Sequence, residues 1–354
     1  VILKREKYID AVIGPQSYHE VTNIIKEIEL KNKKINYTEF DVISKFDHLN
    51  LVKNNNNKIS TFLTIQEGCD KFCKFCVVPY TRGPEHSRSF NEIISEANQL
   101  VSNGSKEIIL LGQNVNAYKS EKKKLSDLIF ELNKIKDLKR IRYTTSHPKD
   151  MSDDLIEVYK KCNKLMPLLH LPVQSGSSKI LEAMNRQHDL NKYLKIIEKL
   201  KKTKTNIELS SDFIIAYPGE TDDDFEKTLN LLKKVRFINT YSFVFSPRPG
   251  TPSSNLKIID HVIAKKRLSK FQDLSNEIKK NYRKNLLNSK MKVLFESETL
   301  SRNKYFGRDE YSNAVIVSSN ENPIGKVKNV MINEFNQTTL FGEIILENKN
   351  YAAA

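Results

Sequence analysis

From Ile59 onward, short apolar runs alternate with longer amphipathic stretches. Runs at 61–65, 107–111, 140–144, 168–171, 208–215 and 240–245 are short and rich in β-branched and aromatic residues, which predicts strands. Between them the apolar period lengthens. In 91–103, Ile93, Ile94, Ala97, Leu100 and Val101 share one helical stripe, and Gly104 stands where a helix would stop. Stretches 153–161, 179–184, 190–201 and 223–234 repeat the theme. Strand alternating with helix predicts a parallel sheet with right-handed crossovers. Six such units predict an α/β fold in the form of an open, partial barrel.

The flanks read differently. Before the barrel there is only a strand at 11–13, a turn at Gly14-Pro15 and a helix at 19–30, so residues 1–50 read as the remnant of an α/β domain. The chain opens on Val1, and the natural protein is expected to begin earlier. The asparagine run 54–57 predicts a linker. The barrel with a basic helical extension is expected over 55–286, and a small all-β barrel over 287–350, with strands at 291–295, 314–317, 326–332 and 340–346. Small barrels of this kind often grip nucleic acid. Phe306, Gly307, Arg308 and Tyr311 suit either base stacking with phosphate contacts or plain strand-turn packing. The closing Tyr-Ala-Ala-Ala carries no readable purpose.

Composition narrows the class. At 354 residues the chain supports more than one domain. No apolar run reaches membrane-spanning length and nothing resembles a cleavable signal, so a cytoplasmic protein without membrane contact is expected. The formal net charge is +15, and from Leu256 to Lys304 there are 13 Lys or Arg against 5 Asp or Glu. Such an excess suits a polyanionic partner. Lys, Asn and Ile abound throughout, however, so charge alone identifies no partner.

Chemistry concentrates at Cys69-Asp-Lys-Phe-Cys73-Lys-Phe-Cys76, which holds three of the four cysteines. A loop with this spacing can wrap a 4Fe-4S cube, point three thiolates inward and leave the fourth iron open. Phe72 and Phe75 lie between the ligands and would shield the cube. A zinc knuckle completed by His86 is the alternative, although zinc sites favour paired C-x2-C units. Cys162 falls on a helical pattern and reads as structural. The loop follows the first strand, and polar turns follow the later ones: Gly112-Gln113-Asn114, Thr145-Ser146-His147, Gln174-Ser175-Gly176 and Pro218-Gly219-Glu220. In barrels of this kind, active groups gather at that end.

A C-x3-C-x2-C loop after a first barrel strand is similar to the signature of the radical S-adenosylmethionine superfamily. Val78-Pro79-Tyr80-Thr81-Arg82-Gly83, Leu110 through Tyr118, Leu171 through Ser177, Ser211 through Ile215 and Arg248-Pro249-Gly250-Thr251-Pro252 together resemble its methylthiotransferases. The resemblance runs from the tail of their N-terminal domain, through the radical barrel, to the C-terminal RNA-binding module called TRAM. Gly112 through Tyr118 resembles the branch acting on N6-isopentenyladenosine beside the tRNA anticodon. The resemblance implies that Cys69, Cys73 and Cys76 hold the cube and that S-adenosylmethionine chelates its open iron. It implies a methylthio group added to carbon 2 of the adenine, with tRNA as partner, flavodoxin or ferredoxin as electron donor, and a monomeric enzyme. By position, Gly112, Gln113 and Asn114 are candidates for the methionine amino group. Ser146 and Arg186 are candidates for its carboxylate or ribose, and Arg82, Arg248 and Arg308 for RNA. Family members also carry an auxiliary 4Fe-4S cluster on three N-terminal cysteines, and no cysteine precedes Cys69 here. The rival readings are the same chemistry on a ribosomal-protein aspartate, and a noncatalytic RNA-binding iron-sulfur protein.

Overall fold

The structure, a computed structural model, describes residues 2–38 and 58–345. The expected linker at 54–57 and the last residues, 346–354, lie outside the described residues. Near the start, strands Ala11–Ile13 and Ile35–Tyr37 pair in parallel, with helix Val21–Lys31 crossing between them. A 3-10 turn at Pro15–Glu20 occupies the residues before that helix.

Six parallel strands follow. Ser60–Thr64, Glu107–Leu111 and Arg140–Tyr143 form one sheet; Leu168–His170, Glu208–Ile215 and Asn239–Val244 form another. A parallel bridge from Ile141 to Leu165 joins the two, and among the described residues no ladder links the last strand back to the first. The barrel is therefore open, as the alternation predicts. Helices Phe90–Ser102, Leu125–Lys134, Asp153–Lys161, Leu190–Thr203 and Asp222–Val235 follow successive strands. Ile108, Leu110, Ile141, Leu169 and Phe213 share one core with Ile93, Leu128, Leu155, Leu200 and Leu232. Each such side chain removed from water contributes about 1.5–3 kcal/mol.

Helix Leu125–Lys134 is an addition to the sequence expectation. Its buried face is Leu125, Leu128, Ile129 and Leu132, and the Asp127 carboxylate accepts from the Lys124 backbone N–H (2.8 Å) to open it. A run of lysines just before it disguises its start. The expected basic helix spans His261–Asn285, capped by Asp260, whose carboxylate accepts from the N–H of Val262 (2.9 Å) and Ile263 (3.2 Å). It buries Phe271 with its ring 4.7 Å from that of Phe213.

The C-terminal strands Lys290–Glu298, Lys304–Arg308, Ala314–Ser318, Val327–Phe335 and Thr339–Ile344 close into a five-stranded barrel. Phe306, Gly307 and Arg308 belong to the strand Lys304–Arg308. A Cβ on Gly307 would come within 2.5 Å of the Leu294 carbonyl, so only glycine lets these strands approach. Arg140 and Arg142 grip this barrel from the large one. Arg140 donates to the carbonyls of Arg308 (2.7 Å), Asp309 (3.0 Å) and Lys292 (2.8 Å), and Arg142 to those of Glu310 (2.9 Å) and Asp309 (2.8 Å). Arg140 and Glu107, which accepts from Arg142 Nε (2.9 Å), each begin a strand, so the small barrel docks away from the cysteine-bearing end. Among the described residues, no helix is long and apolar enough to cross a membrane.

Candidate active site at the barrel mouth

The cysteine loop is tied off at its base. Gln66–Glu67 pairs antiparallel with His86–Ser87, and Cys69 N–H donates to Gly83 O (3.2 Å). Gly68 has φ +80°, and a Cβ there would sit 2.0 Å from Pro84 O, so both conformation and space require glycine. The loop's own backbone is held from across the mouth. Lys74 N–H donates to Met184 O (3.0 Å), Asn185 Nδ2 to Phe72 O (2.9 Å), Gln187 Nε2 to Lys71 O (2.8 Å), and Ser253 N–H to Lys74 O (3.1 Å). Asn185 and Gln187 both adopt left-handed backbone, at φ 57° and 58°, and between them present Arg186. Its Nη1 donates to Cys73 Sγ (3.4 Å) and its Nη2 to Pro172 O (2.5 Å).

Cys73 is buried, while Cys69 and Cys76 are partly open. Burial pushes the Cys69 thiol up to about 12 and raises Cys76; proximity to Cys73 adds to both shifts. A bound cationic centre would offset the cost of ionising Cys69 and Cys76. Among the described residues, no three His, Cys, Asp or Glu side chains converge as ligands of one ion would. A cube takes each thiolate on a different iron, which a loop of this spacing suits better than a zinc knuckle with His86. Phe75 packs against the cluster of Ile180, Met184, Tyr217 and Phe245, whereas Phe72 is 50% exposed. Shielding from these two aromatics is one-sided.

The turn after the second strand is wired to the loop. Gln66 Oε1 accepts from Asn114 N–H (3.0 Å) while its Nε2 donates to Gly68 O (2.7 Å), and Gly68 N–H donates to Gln113 Oε1 (2.6 Å). Gly112 packs so closely that a Cβ would meet Gln66 Oε1 at 2.7 Å. Asn114 Nδ2 donates to Glu85 (3.0 Å) and Asp150 (2.7 Å), and Lys71 Nζ meets Asp150 at 2.9 Å. Asn114 Oδ1 stays buried with no protein partner.

Similar orphans cluster nearby. Ser146 Oγ, His147 Nε2, His188 Nε2 and Arg186 Nε are buried without protein hydrogen bonds, and the two imidazoles stand edge to face at 5.7 Å. Burial and then the Arg186 charge push both histidines down, His188 to about 4 and His147 further, so both are neutral near pH 7. Native interiors leave few such groups unpaired. Their gathering at one mouth suits a polar ligand that the protein must complete. Thr145, Gln174 and Ala216 also take left-handed backbone, at φ 62°, 77° and 58°, just beyond the third, fourth and fifth strands. Strain of this kind concentrates at functional sites.

Two of the expected polar turns are also tied into the barrel's packing. Gly176 abuts Lys227 O, and Gly176 N–H donates to Thr228 Oγ1 (3.0 Å). Glu220 accepts from Arg267 Nη1 (2.8 Å) and Ala216 N–H (3.1 Å). The expected RNA arginines have different surroundings. Arg82 is paired with Glu67 (2.8 Å), Arg248 is exposed in its own turn, and Arg308 lies beside Glu296 (3.3 Å) with its guanidinium 5.1 Å from the Phe306 ring. Lys71, Asp150 and His188 were invisible in the sequence as site residues, since they come from separate loops with no shared spacing.

Comparison with known proteins now adds the lineage. Residues 63–232 match the radical SAM superfamily and 284–345 the TRAM domain. The tRNA-2-methylthio-N(6)-dimethylallyladenosine synthase of Pelagibacter ubique is 55% identical, over 99% of this chain and 80% of that protein. Its namesake in Rickettsia typhi is 44% identical, over 98% of this chain and 79% of that protein. Among solved structures, coproporphyrinogen III oxidase from Escherichia coli aligns with a TM-score of 0.47 at 12% identity, over 77% of this chain and 71% of that one. With a three-cysteine loop at the mouth of an open barrel, a TRAM domain behind it and relatives this similar over nearly its whole length, the chain belongs to the radical S-adenosylmethionine family of tRNA-2-methylthio-N(6)-dimethylallyladenosine synthases.

Proposed function

We propose that this chain carries the radical chemistry and RNA binding by which a methylthio group is added to carbon 2 of N6-isopentenyladenosine beside the tRNA anticodon. The observation that carries the reading is the cysteine loop, pinned at the barrel mouth beside buried polar atoms that lack protein partners. Cys69, Cys73 and Cys76 would hold three irons of a 4Fe-4S cluster, leaving one for S-adenosylmethionine. When bound, that pair supplies the electron and the radical chemistry needed to open an unactivated C–H bond. The chain's own residues orient the ligand. Asn114 Oδ1, buried without a protein partner, would accept from the methionine amino group, while Gly112 and Gln113 brace the turn that presents it. Ser146 Oγ and Arg186 Nε are placed to meet carboxylate or ribose. Arg186 Nη1, donating to Cys73 Sγ, also disperses thiolate charge, which raises the potential of a cluster held there.

The reading keeps three units: an α/β segment at 1–50, the barrel with its extension at 55–286, and the RNA-gripping barrel at 287–350. An auxiliary 4Fe-4S cluster would supply sulfur. This sequence holds no ligand set for it, because the one cysteine outside the loop, Cys162, is buried in the hydrophobic core. A flavodoxin or ferredoxin donor, a monomeric state and a cytoplasmic location complete the proposal. Expressing the gene in cells that lack their own 2-methylthio activity, then analysing tRNA nucleosides by mass spectrometry, tests it. Conversion of N6-isopentenyladenosine to its 2-methylthio form is expected. Unchanged nucleosides beside a methylthiolated ribosomal-protein aspartate would overturn it.

A further inference from the structure

Helix His261–Asn285 carries Asn276, Lys279, Lys280 and Arg283 at i, i+3, i+4 and i+7, so the four share one face. That face looks onto Phe335, Asn336, Gln337 and Thr338 of the small barrel across a cavity of about 490 Å³. Lys279, Arg283 and Thr338 also line a second cavity of about 580 Å³, which reaches the large barrel's interior at His170 and Tyr241. Among the described residues, the cations of this seam have no acid in contact. Among the described residues, Lys279 makes no ion pair or hydrogen bond, and burial, then the Arg283 charge, pushes its ammonium down. Arg283 is 5% exposed, spends Nη1 on Asn336 O (2.8 Å) and leaves Nε with no partner. Asp309, the carboxylate whose charge acts on Arg283, is taken up by Tyr311 N–H and by Asn313 N–H and Nδ2. Like charges one turn apart destabilise a helix, and a half-buried ammonium without a partner adds to the cost. A bound anion would relieve both.

We propose that the seam between this helix and the small barrel is a phosphate site, centred on Lys279 and Arg283, that holds the tRNA backbone at a distance from the reacting base. The inference rests on the proposed tRNA substrate. RNA is favoured over other polyanions because the seam is formed by the TRAM domain, because Asn276, Gln337 and Thr338 add neutral hydrogen-bonding groups suited to sugar and phosphate, and because it opens toward an aromatic-lined barrel interior. Phosphate contacts position without reading sequence, so the effect should be the same for every tRNA bound.

The test titrates full-length tRNA across a salt series with the parent, Lys279→Gln, Lys279→Glu and, as control, the exposed Lys234→Gln. Arg283 is left intact because it also docks the small barrel. Lys279→Gln is expected to weaken binding by about 3–10-fold and to reduce the slope of log K against log salt by about 1. Lys279→Glu should do more, and the control nothing. Tm should hold or rise in Lys279→Gln, and RNA-free cleavage of S-adenosylmethionine should match the parent. Unchanged affinity and slope would overturn the proposal while leaving the tRNA reading standing. So would a loss of affinity that tracks a fall in Tm. A parent that binds no tRNA at any salt would instead remove the reading beneath it.

Discussion

The open six-stranded barrel and the closed five-stranded barrel treat their interiors in opposite ways. The closed one fills itself with Val293, Phe295, Val315, Val317, Val330, Ile332 and Leu340, and leaves function to its surface. Its left-handed turn residues, such as Asn303 and Ser312, are types that turns accept readily. The open barrel puts Thr145, Gln174 and Ala216 in that same strained region and leaves Ser146, His147 and His188 with buried atoms unpaired. An interior built only for stability would resolve both. Closure serves packing, and openness with strain serves a ligand.

The strongest way to break the comparison is to remove what joins the two barrels. Among the described residues, Arg142→Ala leaves Glu107, 1% exposed, with only Ser60 Oγ (2.9 Å) as a side-chain partner, releases the carbonyl of Glu310 and leaves that of Asp309 to Arg140 alone. A loss of about 3–5 kcal/mol is expected, read as a lower Tm, together with faster proteolysis between the barrels. Next comes a matched pair of glycines. Gly68→Ala shifts the cysteine loop and should cut S-adenosylmethionine cleavage by about 100-fold, with a smaller change in Tm. Gly307→Ala, whose Cβ would press on Leu294 O, should cost about 1–3 kcal/mol and leave RNA-free cleavage per folded molecule intact. Equal effects on both readouts from the two variants would erase the distinction drawn between the barrels.

The smallest effect concerns a helix start in the open barrel. Burial pushes the Asp224 carboxyl up, but donors on Ser177, Thr221 and Lys179 outweigh it and hold the group well below the usual range. Because its folded pKa is depressed, its contribution is present above the ordinary value of 3.8 and fades as pH falls through the folded one. Asp224→Asn should cost about 1–2 kcal/mol at pH 7. In a Tm series against pH, the gap between parent and variant should narrow below about pH 4; a gap that widens there would contradict the assignment.

These contrasts also explain what a reader of the sequence can see. Buried parallel strands are continuous apolar runs, so Glu107–Leu111 and Glu208–Ile215 declare themselves with little ambiguity. Lys304–Arg308 does not, because Gly307 in its centre mimics a turn and its need for glycine lies in the neighbouring strand. Helix Leu125–Lys134 hides behind charged residues although its stripe is regular. In the site, the cysteines share eight consecutive residues and are legible by spacing alone. Arg186 was a candidate by position, but its reason for being there, a hydrogen bond to Cys73 Sγ 113 residues away, exists only in the fold. Arg82, one of the arginines expected to meet RNA, has its charge matched by Glu67, a pairing that no spacing in the sequence declares. The unmatched cations sit instead on a helix face whose partner surface arrives about 50 residues later.

The most direct measurement is anaerobic reconstitution with iron and sulfide, followed by mass spectrometric detection of 5′-deoxyadenosine after adding S-adenosylmethionine and a strong reductant, with Cys73→Ala alongside. The account expects 5′-deoxyadenosine and methionine in equal amounts from the parent and neither from the variant. A parent that fills with about four irons per chain and still leaves S-adenosylmethionine uncleaved would contradict it.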